Sequence, residues 1–306
     1  MSLPDLFPGF ASDIVTTGDV AIFARVGGDP GAPPVILLHG FPETHVMWAE
    51  VAGDLARDHF VIVPDLRGYG QSGLPKPLAD HAHMSKRAMG GDVIALMDHF
   101  GLSRASLFGH DRGGRVAYRL ALDHPERVAR LAVLDIVPTL DTWEAMDAAF
   151  AMSCYHWMFL AQPSPVPEQL IAGAPIAYLE HTLASWTATK SLAAFSPAAL
   201  AYYRAAMAQP ERIAAMCDDY RAGWFVDRLH DEADRAAGKR IGCPVLALWG
   251  KAGLPAGAVE EGATPLSVWR QWATDADGAA IAAGHFIPEE NPAATIAALR
   301  AFLSER

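Results

Sequence analysis

Along this chain, short runs of consecutive apolar and often β-branched residues alternate with longer stretches whose apolar positions recur at helical spacing. The first pattern predicts strands buried on both faces, the second amphipathic helices. Val20–Val26, Val35–Leu38, Val61–Val63, Ala105–Phe108, Leu131–Leu134, Val245–Trp249 and Ala279–Ala282 read as strands. Helices are expected near Val46–Ala56, Lys86–Phe100, Gly113–Asp123, Pro265–Trp272 and Pro292–Leu303. Such alternation predicts an α/β fold with a mainly parallel central sheet and helices on both faces. The alternation stops after Asp135. From Thr139 to Ala236 no strand pattern occurs, and the segment is rich in Ala, Trp, Tyr and Met, with proline-broken loops such as residues 162–167. The expectation is a core of residues 1–138 and 237–306, with a helical cap, 139–236, inserted between two of its strands.

Composition narrows the partners. Of 306 residues, 51% are hydrophobic and 19% charged, enough for a sizeable core and too ordered a mix for extended disorder. A net charge of −11 disfavours nucleic acid and acidic membrane surfaces, so an anionic substrate would need local cations to hold it. Cys154, Cys217 and Cys243 form neither a disulfide framework nor a CxxC metal site, and His81-Ala-His83 lacks further ligands at useful spacing, so no metal or other cofactor is expected. The N-terminus has no basic start and no long apolar run, and no stretch reaches membrane-spanning length; a cytoplasmic protein is expected.

The chemistry centres on Gly109-His110-Asp111-Arg112-Gly113, which lies between a predicted strand and a predicted helix. This fits the G-x-Nuc-x-G elbow pattern of α/β-hydrolases, with Asp111 where esterases carry serine. A carboxylate is already anionic at neutral pH and needs no base to attack a saturated carbon; the resulting ester is then hydrolysed by water. The alternative is a glycine-rich turn with a capping Asp, which the presence of partners weakens. His285, in Ala283-Gly284-His285-Phe286 after the last predicted strand, is placed as the base. Lys251–Gly253 after Val245–Trp249 offers no acid, whereas Asp135 ends the preceding strand and is the candidate to orient His285; Glu260 and Glu261 are distant alternatives. His39-Gly40-Phe41-Pro42 supplies one oxyanion-hole N–H, from Phe41, and Arg112 the other. His39 and His110 themselves read as turn residues.

Haloalkane dehalogenases and epoxide hydrolases commonly carry Trp after the nucleophile. Here Arg112 follows it, and Arg115 lies three residues on along the same helix face. Two guanidiniums suit a small carboxylate better than a neutral substrate. The alternative for Arg115 is an ordinary surface charge.

Gly109–Arg115, His39–Trp48, Tyr155–Pro163 and Asp218–Gly223 resemble the fluoroacetate (haloacetate) dehalogenases of the α/β-hydrolase superfamily, and the similarity spans nearly the whole chain. The resemblance implies Asp111 as nucleophile, His285 as base and Asp135 as acid, with Arg112 and Arg115 on the substrate carboxylate. It also implies a halide pocket of His156, Trp157 and Tyr220, and a homodimer. Trp186 is a possible pocket wall, with plain core packing as the alternative. The expected reaction converts a haloacetate and water to glycolate, halide and a proton. Two rivals stay open: an epoxide hydrolase, which would need cap tyrosines to protonate the ring oxygen, and a non-catalytic receptor for a small acid. The Gly- and Ala-rich segment Lys251–Gly262 looks longer than the family's usual loop.

Overall fold

The computed structural model describes residues 3–255, 259 and 263–304. Eight strands form one sheet: β1 (Ala11–Thr17), β2 (Val20–Gly27), β3 (Pro34–Leu38), β4 (Phe60–Pro64), β5 (Ala105–His110), β6 (Val128–Leu134), β7 (Val245–Gly250) and β8 (Ala276–Ile281). Their order is β1-β2-β4-β3-β5-β6-β7-β8. The β1–β2 and β2–β4 pairs are antiparallel and the remainder parallel. Every residue of β4 and β5 is buried, as a sheet covered on both faces requires.

The core helices are α1 (Ala49–Leu55), α2 (Lys86–His99) and α3 (Asp111–Asp123). Between β6 and β7 the chain forms α4 (Thr139–Glu144), α5 (Ala148–Ser153), α6 (Tyr155–Leu160), α7 (Val166–Ala172), α8 (Pro175–Trp186), α9 (Pro197–Met207), α10 (Pro210–Ala222) and α11 (Arg228–Ala236). A π-type turn, Gly223–Asp227, joins the last two. After β7 come α12 (Pro265–Trp272), α13 (Ile287–Glu290) and α14 (Pro292–Ser304). Helix α2 packs on α3, and α1 on α14, forming two separate helix pairs.

Two differences from the sequence expectation have simple causes. Strand β1 was not anticipated, because Ala-Ser-Asp-Ile-Val-Thr-Thr is an outer strand with a largely solvated, polar pattern rather than an apolar run. Helix α3 begins at Asp111, not Gly113, because the elbow turns straight into helix.

The register sets the site. Leu38 of β3 pairs with Gly109 of β5, His110 with Leu134 of β6, and Leu134 with Leu248 of β7. The C-terminal ends of these parallel strands are therefore level, and the loops leaving them converge, which is where α/β sheets bind ligands.

Candidate active site

Asp111 follows β5 directly and has φ +41°, a left-handed conformation costly for a non-glycine residue. The turn is possible because its neighbours are glycine: a Cβ on Gly109 would lie 2.5 Å from the carbonyl carbon of Gly113. Gly109→Ala is expected to cost at least about 2 kcal/mol of stability, read as a lower urea midpoint with an unchanged slope. The side chain of Asp111 is buried, and its Oδ2 accepts a hydrogen bond from the Phe41 N–H at 3.1 Å. Burial pushes its pKa up, but His285, Arg112 and Arg115 outweigh this and hold it below the usual carboxylate range. Arg112 is the second residue of α3, so its backbone N–H, like that of any residue in a first helical turn, lacks an intrahelical acceptor.

His285 sits on the loop after β8. Its Nδ1 lies 2.6 Å from Asp135 Oδ2, and its Nε2 is buried with no hydrogen-bond partner among the described residues. Asp135, just past β6 at φ +54°, is pinned by two further donors, Gly250 N at 2.8 Å and Leu254 N at 3.2 Å. With Asp135 Oδ2 as the partner, the imidazole carries its proton on Nδ1 and leaves the Nε2 lone pair free. Glu260 and Glu261, and most of the loop after Pro255, lie outside the described residues.

The two arginines face different surroundings. Arg112 is fully buried and tied to Asp219 of α10: Nη2 donates to Oδ1 at 2.6 Å and to the backbone oxygen at 2.7 Å, and Nε to Oδ2 at 3.1 Å. Lys86 and Tyr69 meet the same carboxylate. Only Nη1 of Arg112 lacks a partner among the described residues. Arg115 is buried rather than a surface charge, and it makes no ion pair among the described residues. Its donors reach only neutral oxygens, the Val137 carbonyl at 2.9 Å and the Thr139 and Thr142 hydroxyls at 3.3 and 3.4 Å, while Nε has no partner among the described residues. Burial lowers its pKa, with Asp111 opposing.

The aromatic residues of α6, α8 and α10 close over this ground. The Trp157 ring lies 4.5 Å from the Arg115 guanidinium and 5.7 Å from that of Arg112, within cation–π range. Tyr220 stacks on Arg112 at 4.1 Å, and its hydroxyl has no partner among the described residues. His156 is buried, with Nδ1 unpartnered among the described residues. Burial chiefly, with His285 and both arginines adding to it, pushes the His156 pKa down to about 3, so it is a neutral N–H donor at physiological pH. Trp186 packs against the site: its ring is 4.3 Å from His156 and 5.4 Å from His285, and its carbonyl accepts the His285 N–H at 2.9 Å. A cavity of about 20 Å³ remains among Asp111, Arg115, His156, Trp157 and His285; Arg112 and Tyr220 are not among its lining residues.

A strained carboxylate on a strand–helix elbow, an Asp-oriented imidazole and a backbone donor from the loop after β3 thus converge at one end of the sheet. The profile of the alpha/beta hydrolase fold matches residues 33–292. The chain belongs to the α/β hydrolase family. It is 42% identical over 300 residues to the fluoroacetate dehalogenase of Burkholderia sp., covering 98% of this chain and 96% of that protein. It is 31% identical over 263 residues to the soluble epoxide hydrolase of Corynebacterium sp. (strain C12), covering 85% and 86%. A solved structure of a candidate epoxide hydrolase from Pseudomonas aeruginosa superposes with a TM-score of 0.91 at 42% identity, covering 98% of this chain and 97% of that one.

In this α/β hydrolase, several residues beneath the site escaped the sequence reading. His110 is not merely a turn residue. Its Nε2 donates to the backbone oxygen of His285 at 2.8 Å, and its Nδ1 lies 2.9 Å from buried Glu43. Burial pushes Glu43 up to about 8, and burial together with the Glu43 charge raises Glu289 well above the usual range; Tyr203 donates to Glu289 at 3.0 Å. Two buried acids therefore lie behind the loop that carries His285, and burial favours the protonated form of the pair. The only sequence signal was an acid in the His39–Trp48 loop, which is common on surfaces. Asp219 was likewise legible only as one of two adjacent acids.

Proposed function

We propose that this hydrolase is a haloacetate dehalogenase, acting on fluoroacetate and other small 2-haloacids through an ester on Asp111. The observation that carries the reading is Arg115: a buried guanidinium without an acid partner among the described residues, in the same small cavity as Asp111. Burying an unpaired cation is costly, and a substrate carboxylate supplies the missing charge. The 42% identity to a fluoroacetate dehalogenase over nearly the full length supports the same choice.

With the substrate carboxylate on Arg115, and Nη1 of Arg112 adding to the local field, the halogen-bearing carbon faces Asp111. Oδ2 of Asp111 is engaged by Phe41 N, so Oδ1 attacks and the carbon–halogen electron pair leaves with the halide. The departing halide is met by the neutral donors His156 and Tyr220, together with the Trp157 N–H; none of them adds a negative charge to the pocket. His285 Nε2 then removes a proton from water, whose oxygen attacks the Asp111 carbonyl carbon. Oδ2 becomes the oxyanion on the Phe41 and Arg112 N–H groups. Collapse breaks the bond from the Asp111 carbonyl carbon to Oδ1, and the departing glycolate oxygen takes the proton from His285. The Asp111 carboxyl loses the remaining water proton to solvent, restoring the carboxylate. Residues 139–236, the helical segment carrying the halide donors, act as a cap over the core of residues 1–138 and 237–306.

The test is halide release from fluoroacetate and chloroacetate. Wild type is expected to release halide from both, and Asp111→Ala to fall by about 10⁴-fold or more. Undiminished turnover in Asp111→Ala would remove the mechanism. The names of two relatives keep epoxide hydrolysis as the second reading, and turnover of a neutral epoxide with none of either haloacetate would replace the first with it.

A further inference from the structure

Beside the inner cavity lies an open chamber of about 620 Å³. Among the described residues the two share two lining residues, Phe150 and Leu254. The inner cavity, at about 20 Å³, has room for little more than a water, so any organic substrate must enlarge it on entry. Its polar walls resist this: Asp111, Asp135, His285 and Arg115 are each held by hydrogen bonds. Phe150 and Leu254 are apolar, and their side chains carry no such bonds. Their backbones, in contrast, are fixed. The Phe150 N–H is capped by the Asp147 carboxylate at 2.7 Å, and the Leu254 N–H is bound to Asp135 at 3.2 Å. Two rotatable side chains on anchored backbones therefore stand between the two spaces, with the Trp186 ring beside them.

We infer that Phe150 and Leu254 are specificity-determining residues: they form the passage from the outer chamber to Asp111 and set the largest 2-substituent the enzyme accepts. The inference deepens the dehalogenase reading and, for its substrates, rests on it. A methyl at the reacting carbon must clear the same partition as the halogen, and trimming Phe150 or Leu254 removes the obstruction.

The experiment compares wild type, Phe150→Ala and Leu254→Ala in halide release from chloroacetate and 2-chloropropionate. The ratio of kcat/KM for 2-chloropropionate to that for chloroacetate is expected to rise about tenfold in at least one variant. Met152→Ala, in an 80% exposed residue lining only the outer chamber, is expected to leave the ratio unchanged. A second readout is independent of the reaction. Cys154 lines the inner cavity, so its labelling by methyl methanethiosulfonate, followed by peptide mass, reports passage through the partition. Both variants should label Cys154 about tenfold faster, as one shared gate predicts, while buried Cys217 keeps its wild-type rate. Unchanged Cys154 labelling in both variants, or equal acceleration at Cys217 from general loosening, overturns the passage. Faster Cys154 labelling with no halide release by wild type from either haloacid keeps the passage and rejects the dehalogenase reading.

Discussion

His285→Gln is expected to release about one halide per active site from chloroacetate and then nearly stop, with Asp111 left carrying an adduct of about 58 Da. Displacement at carbon needs only the ionised Asp111, a form that Arg112 and Arg115 still favour in the mutant. Hydrolysis of the ester needs a base, and His285 Nε2 is a buried nitrogen of the same cavity without a partner among the described residues. General-base catalysis is worth about 10²–10⁴-fold, so the second step should slow by that factor while the first remains fast. The fold should tolerate the change, because Asp135 keeps the Gly250 and Leu254 N–H donors and the new amide can replace the imidazole N–H. Rapid-quench halide assays give the burst amplitude, and peptide mass locates the adduct. A mutant with no burst and no adduct would show that halide departure itself depends on His285, and the ester route would be abandoned.

The parts of the proposed mechanism that could be read from sequence are those enforced by backbone geometry. An elbow needs glycine where Cβ atoms collide, so Gly109 and Gly113 marked Asp111 before any fold was known. Asp135 and His285 follow strands whose apolar runs are themselves conspicuous, and loop position named them. Other contributions depend on approaches across more than 100 residues of chain. Asp219 meets Arg112, Lys86 and Tyr69 through folding of α10 over α2 and α3, which no local pattern encodes. Glu43, His110 and Glu289 are three ordinary polar residues until burial makes them one proton-sharing cluster. Strand β1 was missed for the opposite reason: its polar alternation is faithful to its place at the sheet edge and therefore weak as a signal.

The divided environments of the two arginines yield the second large prediction. Arg115→Met should lower kcat/KM for chloroacetate by about 10²–10⁴-fold, because a charged, forked hydrogen-bond partner of a buried carboxylate is worth about 3–5 kcal/mol. The same substitution should leave stability unchanged or raise it. Methionine fills a similar space, and the folded protein no longer bears the cost of a buried guanidinium unmatched by an acid among the described residues. Arg112→Met should behave in the opposite way. It strips Asp219 of three hydrogen bonds and leaves Lys86 as that carboxylate's remaining cation, so stability falls by several kcal/mol, about 3–5 by precedent for broken buried pairs. Urea midpoints measured alongside halide release separate the two. If Arg115→Met lost stability as Arg112→Met does, Arg115 would be a structural residue, and the carboxylate would have to be held elsewhere. Arg115→Lys adds a finer distinction: it keeps the charge but loses the fork, so it should recover part of the affinity for the anion and little of the orientation. That pattern, partial rescue in KM with kcat still depressed, is specific to a substrate-positioning guanidinium and would not arise from a neutral epoxide substrate, for which the charge at residue 115 has nothing to hold.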